Sequence, residues 1–302
     1  MLQDIRQPQE KRGTNGFLTA RRYSSAELKN AKCGAAVTAR TRMPRIIVCL
    51  KYAIDVSQIK VDPVARKLLT ADAPRKINDF DKNALEEAIR IKEKHGGEVI
   101  ALTVSTEDAS SALREALAMG VDRVFLVKDL SLQNSDALIT SYILAEAVRK
   151  VGSFDRIICG EASIDSYSAQ VGPRLAEILG IPVVTYARKL SLEGGVLVAE
   201  RSLEDQLALV KVKMPTLVTV TKEINVPRVS TLMDVIRASK KELITWSLSD
   251  LGVSSEKVGT AVQILDVSAP KVERKKVKIE GETPKEIAEK LVKVLIQDGV
   301  LG

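Results

Sequence analysis

The sequence predicts a doubly wound α/β fold, in which helices cover both faces of a mostly parallel β-sheet. From residue 45 to residue 185, short apolar runs alternate with amphipathic stretches. Strands that alternate with helices of about 10–15 residues are typical of βαβ units with right-handed crossovers. The chain is also 45% hydrophobic and 28% charged over 302 residues. That composition is ordinary for a globular protein, and a chain of this length can form a hydrophobic core that needs no disulfides or metal ions.

The elements of this pattern follow in order. Residues 45–50 form a continuous apolar run, as expected of a buried parallel strand, and a turn follows at residues 61–63. A helix is then expected with Asp81 as its N-cap and its end at Gly96. The remaining units are a strand at 98–104, a helix at 109–119, a strand at 123–127, a helix at 137–151 capped by Ser135 or Asp136, a strand at 154–160, a helix at 170–179 and a short strand at 182–185.

The rhythm changes after residue 186. Residues 196–201 and 207–212 read as paired strands, residues 216–220 as a buried strand, and residues 232–239 as a helix. A polar, extended stretch at 252–278 leads to a final helix that Thr283 and Pro284 begin as a capping box. One side of this helix carries an apolar stripe of Ile287, Leu291, Val294 and Leu295. Such a stripe needs a covering surface, either on its own domain or on a partner subunit.

The first 42 residues differ from the rest in charge. They carry nine Lys and Arg against three Asp and Glu, whereas the remaining residues carry 37 against 36. Their composition fits a transit peptide, and a mis-assigned start or an added leader fits equally well. We expect 1–42 to be a disordered leader or extension, 43–250 the folded domain and 251–302 a C-terminal arm and helix. Because the body is nearly neutral, nucleic-acid binding has weak support.

Several classes of chemistry are disfavoured. The three cysteines have no metal-site spacing, which argues against a zinc site and favours a reducing compartment. His95 is the only histidine, so a histidine-based triad is not expected. The phosphate-binding motifs GxGxxG and GxxxxGK[ST] are absent, and no run is long enough for a membrane span. With little acid–base machinery in the chain, a cofactor is expected to carry the chemistry.

The best candidate site is the segment 159–173. Gly160 ends a predicted strand, and a run of Ser, Ala and Gln residues then enters a helix whose free N–H groups suit phosphate. Ligands of open parallel sheets bind beyond the carboxyl ends of the strands. An ordinary loop with a serine cap remains the competing interpretation.

Residues 45–252 resemble the beta subunit of electron transfer flavoproteins. The resemblance rests on five blocks in the same order and spacing: 50–55, 77–81, 116–122, 160–172 and 223–228 followed by Lys240 and Lys241. It implies a flavodoxin-like domain, of the adenine nucleotide alpha hydrolase-like kind, that pairs with an alpha subunit. In this family the beta subunit holds an adenine nucleotide. It is AMP in plain carriers and a second FAD in the electron-bifurcating group.

Carried over to this sequence, the resemblance gives a set of residues expected to bind the nucleotide: Cys49, Asn78, Asp79, Phe80, Asp81, Val104, Ser135, Asp136, Thr140, Gly160, Glu161, Ala162, Ser163, Ile164, Asp165, Ser166, Tyr167, Ser168, Ala169, Gln170 and Val171. The stretches 135–141 and 169–173 favour FAD over AMP. Two positions depart from the family: Asp79 replaces a usual Pro, and Tyr167 a common acidic residue.

The resemblance also implies partners. Residues 221–231 resemble the loop that docks on dehydrogenases, with Lys222, Ile224, Asn225, Pro227 and Arg228 as contacts. Lys222 stands where plain carriers have an apolar anchor. The C-terminal helix is expected to dock on the alpha subunit. The function implied is electron transfer between NADH or dehydrogenases and a quinone-linked or ferredoxin-linked acceptor, in the cytoplasm or, with a transit peptide, the mitochondrial matrix. The alternatives are an AMP-binding carrier and a stress-type nucleotide-sensing module.

Overall fold

The structure is a computed structural model. It describes residues 43–133, 135–193, 195–254, 258–259, 262, 264–270 and 275–301, with the backbone of residues 19–22. Two compact units are present. The first consists of Met1–Lys60 with Leu69–Leu265, and the second of Val61–Leu68 with Asp266–Gly302. The predicted division at residues 42 and 250 stays a prediction.

The described strands are β1 (Thr19–Arg22), β2 (Arg45–Cys49), β3 (Tyr52–Ile54), β4 (Lys60–Val61), β5 (Leu68–Leu69), β6 (Arg75–Ile77), β7 (Glu98–Ser105), β8 (Arg123–Lys128), β9 (Arg156–Gly160), β10 (Val183–Glu193), β11 (Val196–Ser202), β12 (Leu207–Lys213), β13 (Thr216–Val220) and β14 (Ile244–Trp246). The described helices are α1 (Asp79–His95), α2 (Ser110–Met119), α3 (Ala137–Val151), α4 (Val171–Leu179), α5 (Leu232–Ser239) and α6 (Pro284–Gln297).

Ten of the described strands form one sheet in the order β1-β12-β11-β10-β13-β9-β2-β7-β8-β14. The strands from β10 to β14 in this order are parallel, and β11, β12 and β1 extend the sheet antiparallel. Alternate residues of each central strand face opposite layers. Val48 and Ile158 pack with α1 and α2, whereas Ile47 and Ile157 pack with α3 and α4. The predicted doubly wound, mostly parallel fold is confirmed.

Two local predictions need correction, and three short strands were not predicted. The N-cap of α1 is Asn78 rather than Asp81, because the Asp81 side chain bonds to distant backbone groups instead. The short strand predicted at 182–185 continues to Glu193, because a bulge with Tyr186 at φ 56° lets β10 leave β13 and pair with β11. The hairpin β3–β6 and the edge strand β14 carry too few residues for a periodic signal. The predicted Asp136 cap of α3 is confirmed.

In the second unit, Lys67 bridges to Ser268, and the side chain of Thr283 accepts a hydrogen bond from Glu286 N at 3.2 Å at the start of α6. The capping residue and Pro284 are therefore as predicted, but the predicted capping box is incomplete, because the Glu286 carboxylate accepts from Glu282 N instead of Thr283 N. The striped side chains Ile287 and Leu291 are exposed. Within the described residues, no helix combines the length and the apolar character that a membrane crossing requires. The docking partner of α6 stays a prediction.

Candidate functional site

The winding of the chain reverses between β2 and β9. After β2 the sheet grows on one side through β7 and β8, and β9 then returns to the other side of β2. Such a reversal opens a crevice at the carboxyl ends of the two strands, where open α/β sheets bind ligands. The ends here are Cys49 and Gly160, and Cys49 and Cys159 are neighbours in register. The predicted loop 160–170 therefore begins at the reversal point.

Asn78 braces this loop from the start of α1. Its side chain is buried, with Nδ2 donating to Ala162 O at 2.8 Å and Oδ1 accepting from Ile164 N at 2.9 Å. Its backbone N also donates to Lys51 O at 3.0 Å. Both functional atoms of the amide are thus occupied by loop backbone. Asn78 therefore shapes the loop, and its role in nucleotide binding stays a prediction.

Asp81 acts as a second brace one turn later. Its Oδ2 accepts from Lys51 N at 2.7 Å, and its Oδ1 accepts from Gly160 N at 3.0 Å. The carboxyl therefore joins the exits of β2 and β9, the two strands that border the crevice. Burial raises the pKa of Asp81 to about 7, and the bonds from the N–H groups of Lys51 and Gly160 oppose that rise.

Lys51 adds a charged contact that the sequence prediction missed. Its Nζ lies 2.7 Å from Asp165 Oδ1, and Ser163 Oγ donates to the same oxygen at 2.7 Å. Ser163 and Ser166 share a further hydroxyl contact of 2.8 Å. Burial acts to raise the pKa of Asp165, but the bonds from Lys51 and Ser163 leave it below its usual range. A lysine directly after a buried strand was the available signal for this residue.

Two glycines allow the close packing of the site. A Cβ on Gly160 would lie 2.5 Å from Asp81 Oδ1 and 2.6 Å from Phe80 Cβ. A Cβ on Gly172, in the first turn of α4, would lie 2.5 Å from Thr219 Cγ2. The glycine backbone therefore lies so close to neighbouring residues at both ends of the loop that no Cβ fits there.

The helices after the crevice differ in how their amino ends are satisfied. At α3, the Asp136 carboxylate accepts from Leu138 N and Ile139 N, both at 2.9 Å. At α4, the N-cap residue Gln170 makes no side-chain cap bond, and it accepts from Arg174 Nε at 3.1 Å instead. The α4 end therefore suits an anion better than the α3 end, where a carboxylate already stands. Ser141 Oγ ties the two helices by donating to Ala137 O and Val171 O.

Tyr167 and Phe80 form an aromatic pair at the rim of the loop. Their ring centroids lie 5.9 Å apart at an interplanar angle of 65°. The Tyr167 hydroxyl lies 3.5 Å from Glu161 Oε1, and both Tyr167 and Ala169 have left-handed backbone, with φ 48° and 53°. Burial, and then the charge of Glu223, raises the pKa of the Glu161 carboxyl.

The other residues that are predicted to bind the nucleotide differ in burial and in their contacts. Cys49 is buried beside Cys159, and contact with Cys49 followed by burial raises the pKa of the Cys159 thiol. Val104 packs at the end of β7 with the α3 layer. Asp79 points outward to Lys76, and Ser166 and Ser168 are exposed. Ser135 and Thr140 bond to the backbone of their own turn. None of these contacts tests ligand binding, so the roles stay predictions.

The predicted docking residues are partly used within the chain. Asn225 Nδ2 donates to Asn83 O at 3.0 Å and to Glu87 Oε2 at 3.1 Å. Arg228 pairs with the buried Glu86 at 2.8 Å and with Glu93 at 2.6 Å. Ile224 packs on the core, and Pro227 is half-buried. Lys222 is exposed, together with the neighbouring Val226 and Val229. Asn225 and Arg228 hold the segment 221–231, which we call the docking arm, on α1. A docking surface here would therefore use the exposed positions.

Comparison with known proteins gives consistent results. The family described as the electron transfer flavoprotein domain matches residues 66–251. The electron transfer flavoprotein subunit beta of Thermoanaerobacterium thermosaccharolyticum is 41% identical over 233 residues, 76% of this chain and 89% of its own length. The caffeyl-CoA reductase-Etf complex subunit CarD of Acetobacterium woodii is 34% identical over 85% of this chain and 100% of its own. Protein FixA of Azorhizobium caulinodans is 38% identical over 69% of this chain and 76% of its own.

Proposed function

The chain belongs to the electron transfer flavoprotein beta-subunit and FixA family, and from that premise we propose that it binds FAD at the crevice between β2 and β9. The proposed protein is a heterodimer with an alpha subunit that carries electrons between NADH or a dehydrogenase and a quinone-linked or ferredoxin-linked acceptor. Family membership places the chain with electron-transfer proteins rather than with the stress-type nucleotide sensors that the sequence left open.

One observation carries the proposal. The loop that begins at Gly160 leads into α4, and the N-cap side chain of that helix, Gln170, makes no hydrogen bond to its first turn. Asn78 and Asp81 fix the loop, and the amino end of α4 presents the N–H groups of Val171 and Gly172 to an anion. Phosphate groups bind such helix ends through backbone N–H groups and the helix dipole. The close approach at Gly160 and Gly172 keeps side chains out of the way. These features fit the phosphate of a bound nucleotide, and the choice of FAD over AMP rests on the resemblance of residues 135–141 and 169–173.

The protein residues would bind and orient the cofactor, since they provide little acid–base chemistry. FAD, when bound, would supply one-electron and two-electron transfer. The N–H groups at the start of α4 would hold phosphate, and Lys51 adds positive charge beside the loop. Asn78 and Asp81 would keep the loop shape fixed. The exposed residues around Lys222 and Val226 would meet the electron donor or acceptor. The name of the CarD relative supports a reductase of acyl-CoA type as such a partner.

AMP is the second candidate, and the Asp136 cap favours it. Because the Asp136 carboxylate occupies the first turn of α3, only the α4 end of these two helices suits phosphate. One helix end is enough for the single phosphate of AMP. We keep FAD as the proposal on the resemblance of residues 135–141 and 169–173 to the bifurcating group. A cytoplasmic location is part of the same proposal, since the relatives named above come from bacteria.

The test is the nucleotide content of the heterodimer. The chain is co-expressed with the alpha subunit of the same organism, purified gently and denatured, and the released nucleotides are separated and counted. About two FAD per heterodimer supports the proposal. About one FAD with one AMP contradicts it in favour of the plain carrier. A stable chain that neither binds the alpha subunit nor retains any nucleotide contradicts the heterodimer as well.

A further inference from the structure

Tyr167 has an unusual combination of exposure and backbone conformation. Its side chain is 64% exposed although it is a large aromatic residue, and its φ is 48°. Left-handed backbone is uncommon for bulky residues and costs folding free energy, so surrounding contacts must hold it. Strain of this kind collects at ligand sites more often than elsewhere.

Three contacts hold the Tyr167 ring in place. Tyr167 N donates to Ser163 O at 2.9 Å, which closes the loop beneath it. The ring packs edge-on against Phe80, the second residue of α1, and the hydroxyl approaches Glu161. The two rings are not stacked, since they meet at 65°, and Tyr167 stays 64% exposed. The ring is therefore held in place while most of it is open to solvent.

The position of the ring suits the redox end of a dinucleotide. Val171, at the proposed phosphate end of α4, is four residues further along, which limits their separation to about 14 Å. On the other side, the arm after β13 is close, because Glu161 N donates to Val220 O, the last residue of β13, at 2.9 Å. In agreement, the charge of Glu161 above all, with a smaller contribution from Glu223 in that arm, raises the pKa of Tyr167. A flavin ring that exchanges electrons with an external partner has to lie near the docking arm rather than deep in the crevice.

We propose that Tyr167 stacks on the isoalloxazine ring of FAD in the beta subunit, with Phe80 supporting the tyrosine from behind. This inference rests on the proposed function. It assigns to Tyr167 a positioning role that sets which planar ring the rim of the site accepts, and it gives a reason for a strained aromatic residue at an exposed loop position. Aromatic side chains stack favourably on the faces of planar heterocycles.

The test uses heterodimers with the cognate alpha subunit, carrying Tyr167→Leu, Tyr167→Phe or Tyr186→Leu. Tyr186 is the neighbouring control: it is also exposed, has φ 56° and lies on β10, and its charge acts on Tyr167, so it tests whether any aromatic residue at this rim has the same effect. The beta-site flavin is removed by dialysis, and its Kd on return is measured by titration with FAD. Flavin fluorescence decay is recorded in parallel, since a tyrosine stacked on isoalloxazine quenches it by electron transfer and leucine or phenylalanine does not.

Stacking predicts that Tyr167→Leu raises the Kd for FAD about tenfold and restores flavin fluorescence. Tyr167→Phe should keep the Kd within about twofold of wild type, because its ring still stacks, yet lose the quenching. Tyr186→Leu should change neither. If Tyr167→Leu also loses the alpha-subunit flavin, its effect is not specific to the beta site. Tyr167→Phe then decides whether the ring stacks, because it should lose the fluorescence quenching while its Kd for FAD stays unchanged.

Two negative results have different meanings. Two flavins per wild-type heterodimer with unchanged Kd and fluorescence in all Tyr167 variants overturns the stacking and leaves the proposed function standing. The stacking is equally overturned if Tyr186→Leu has the same effect as Tyr167→Leu. One flavin and one AMP per wild-type heterodimer overturns the proposed FAD site and, with it, the role assigned to Tyr167.

Discussion

Replacing Asn78 by alanine tests whether the loop is shaped by α1. The substitution removes the donor to Ala162 O and the acceptor for Ile164 N, at 2.8 Å and 2.9 Å. It removes no helix cap, because the Asn78 side chain makes no hydrogen bond to the backbone of the first turn of α1. Its effect is therefore assigned to the loop contacts and to the hydrogen bond with the Asp81 carboxyl.

The expected cost follows from those two hydrogen bonds. A buried polar group left without a partner costs about 1–3 kcal/mol. Ala162 and Ile164 are half-buried, so water can reach the freed groups in part, and the lower figure applies to each. Asn78→Ala should lower the free energy of unfolding by about 2 kcal/mol. Asn78→Asp should cost about 3 kcal/mol, because it places a buried carboxylate oxygen against Ala162 O.

Urea unfolding of the heterodimer and hydrogen exchange at Ile164 N measure the two consequences. Exchange should accelerate at Ile164 N in both variants, and the nucleotide should dissociate faster. Asp79→Ala is the control, since this neighbouring side chain is exposed and pairs only with Lys76 among the described residues. It should cost less than about 1 kcal/mol. If Asn78→Ala is as stable as the control and keeps Ile164 N protected, the loop is shaped by other contacts.

Two further predictions concern close packing and charge. Gly160→Ala should destabilise the heterodimer by more than about 2 kcal/mol and weaken nucleotide binding, since its Cβ would meet Asp81 and Phe80. Gly259→Ala is the control and should be neutral, because its Cβ would meet no described atom within 4 Å. Equal melting temperatures for the two variants would contradict this prediction. Burial acts against ionisation of Glu86, but its bonds to Arg228 and Arg90 hold its pKa below the usual 4.5. The stability from this carboxylate is therefore complete above the unfolded pKa of 4.5 and is lost as the pH falls through the lower folded pKa, so proteolysis within residues 221–231 should accelerate on acidification below pH 4.5. In Arg228→Gln the arm should be cleaved rapidly already at neutral pH, and an arm that stays resistant in acid or in this variant would refute the assigned anchor.

The sequence was sufficient for the elements that repeat. Each central strand is an apolar run followed by a helical period, and both signals are local, so β2, β7, β8 and β9 lie within a few residues of their predicted bounds. The place of Gly160 at the crevice also followed, because strand order in such a fold places the carboxyl ends together, and ligand binding there stays a prediction. The Asp136 cap was visible because a cap is defined by adjacent residues.

Contacts between distant residues were beyond the sequence. The pattern made Asp81 an N-cap, but the nearby strand ends offered their N–H groups and the carboxylate turned towards them. Lys51 and Asp165 are 114 residues apart, and no local signal pairs them. Asn225 and Arg228 were expected to face a partner, whereas the partner of Arg228 within the chain is a glutamate on α1 that is almost fully buried. In each case a tertiary contact decided the role of a polar side chain.

Helix α1 links the loop that is predicted to bind the nucleotide to the arm that is predicted to dock on a partner. Its first turn braces the loop through Asn78 and Asp81, and its middle holds the arm through Asn83, Glu86 and Glu93. A straight helix spaces these attachments by about 1.5 Å per residue. The distance between the docking arm and the loop is therefore set by a rigid helix rather than by flexible chain. A partner that moved the arm would move α1 and, with it, the loop at the rim of the crevice.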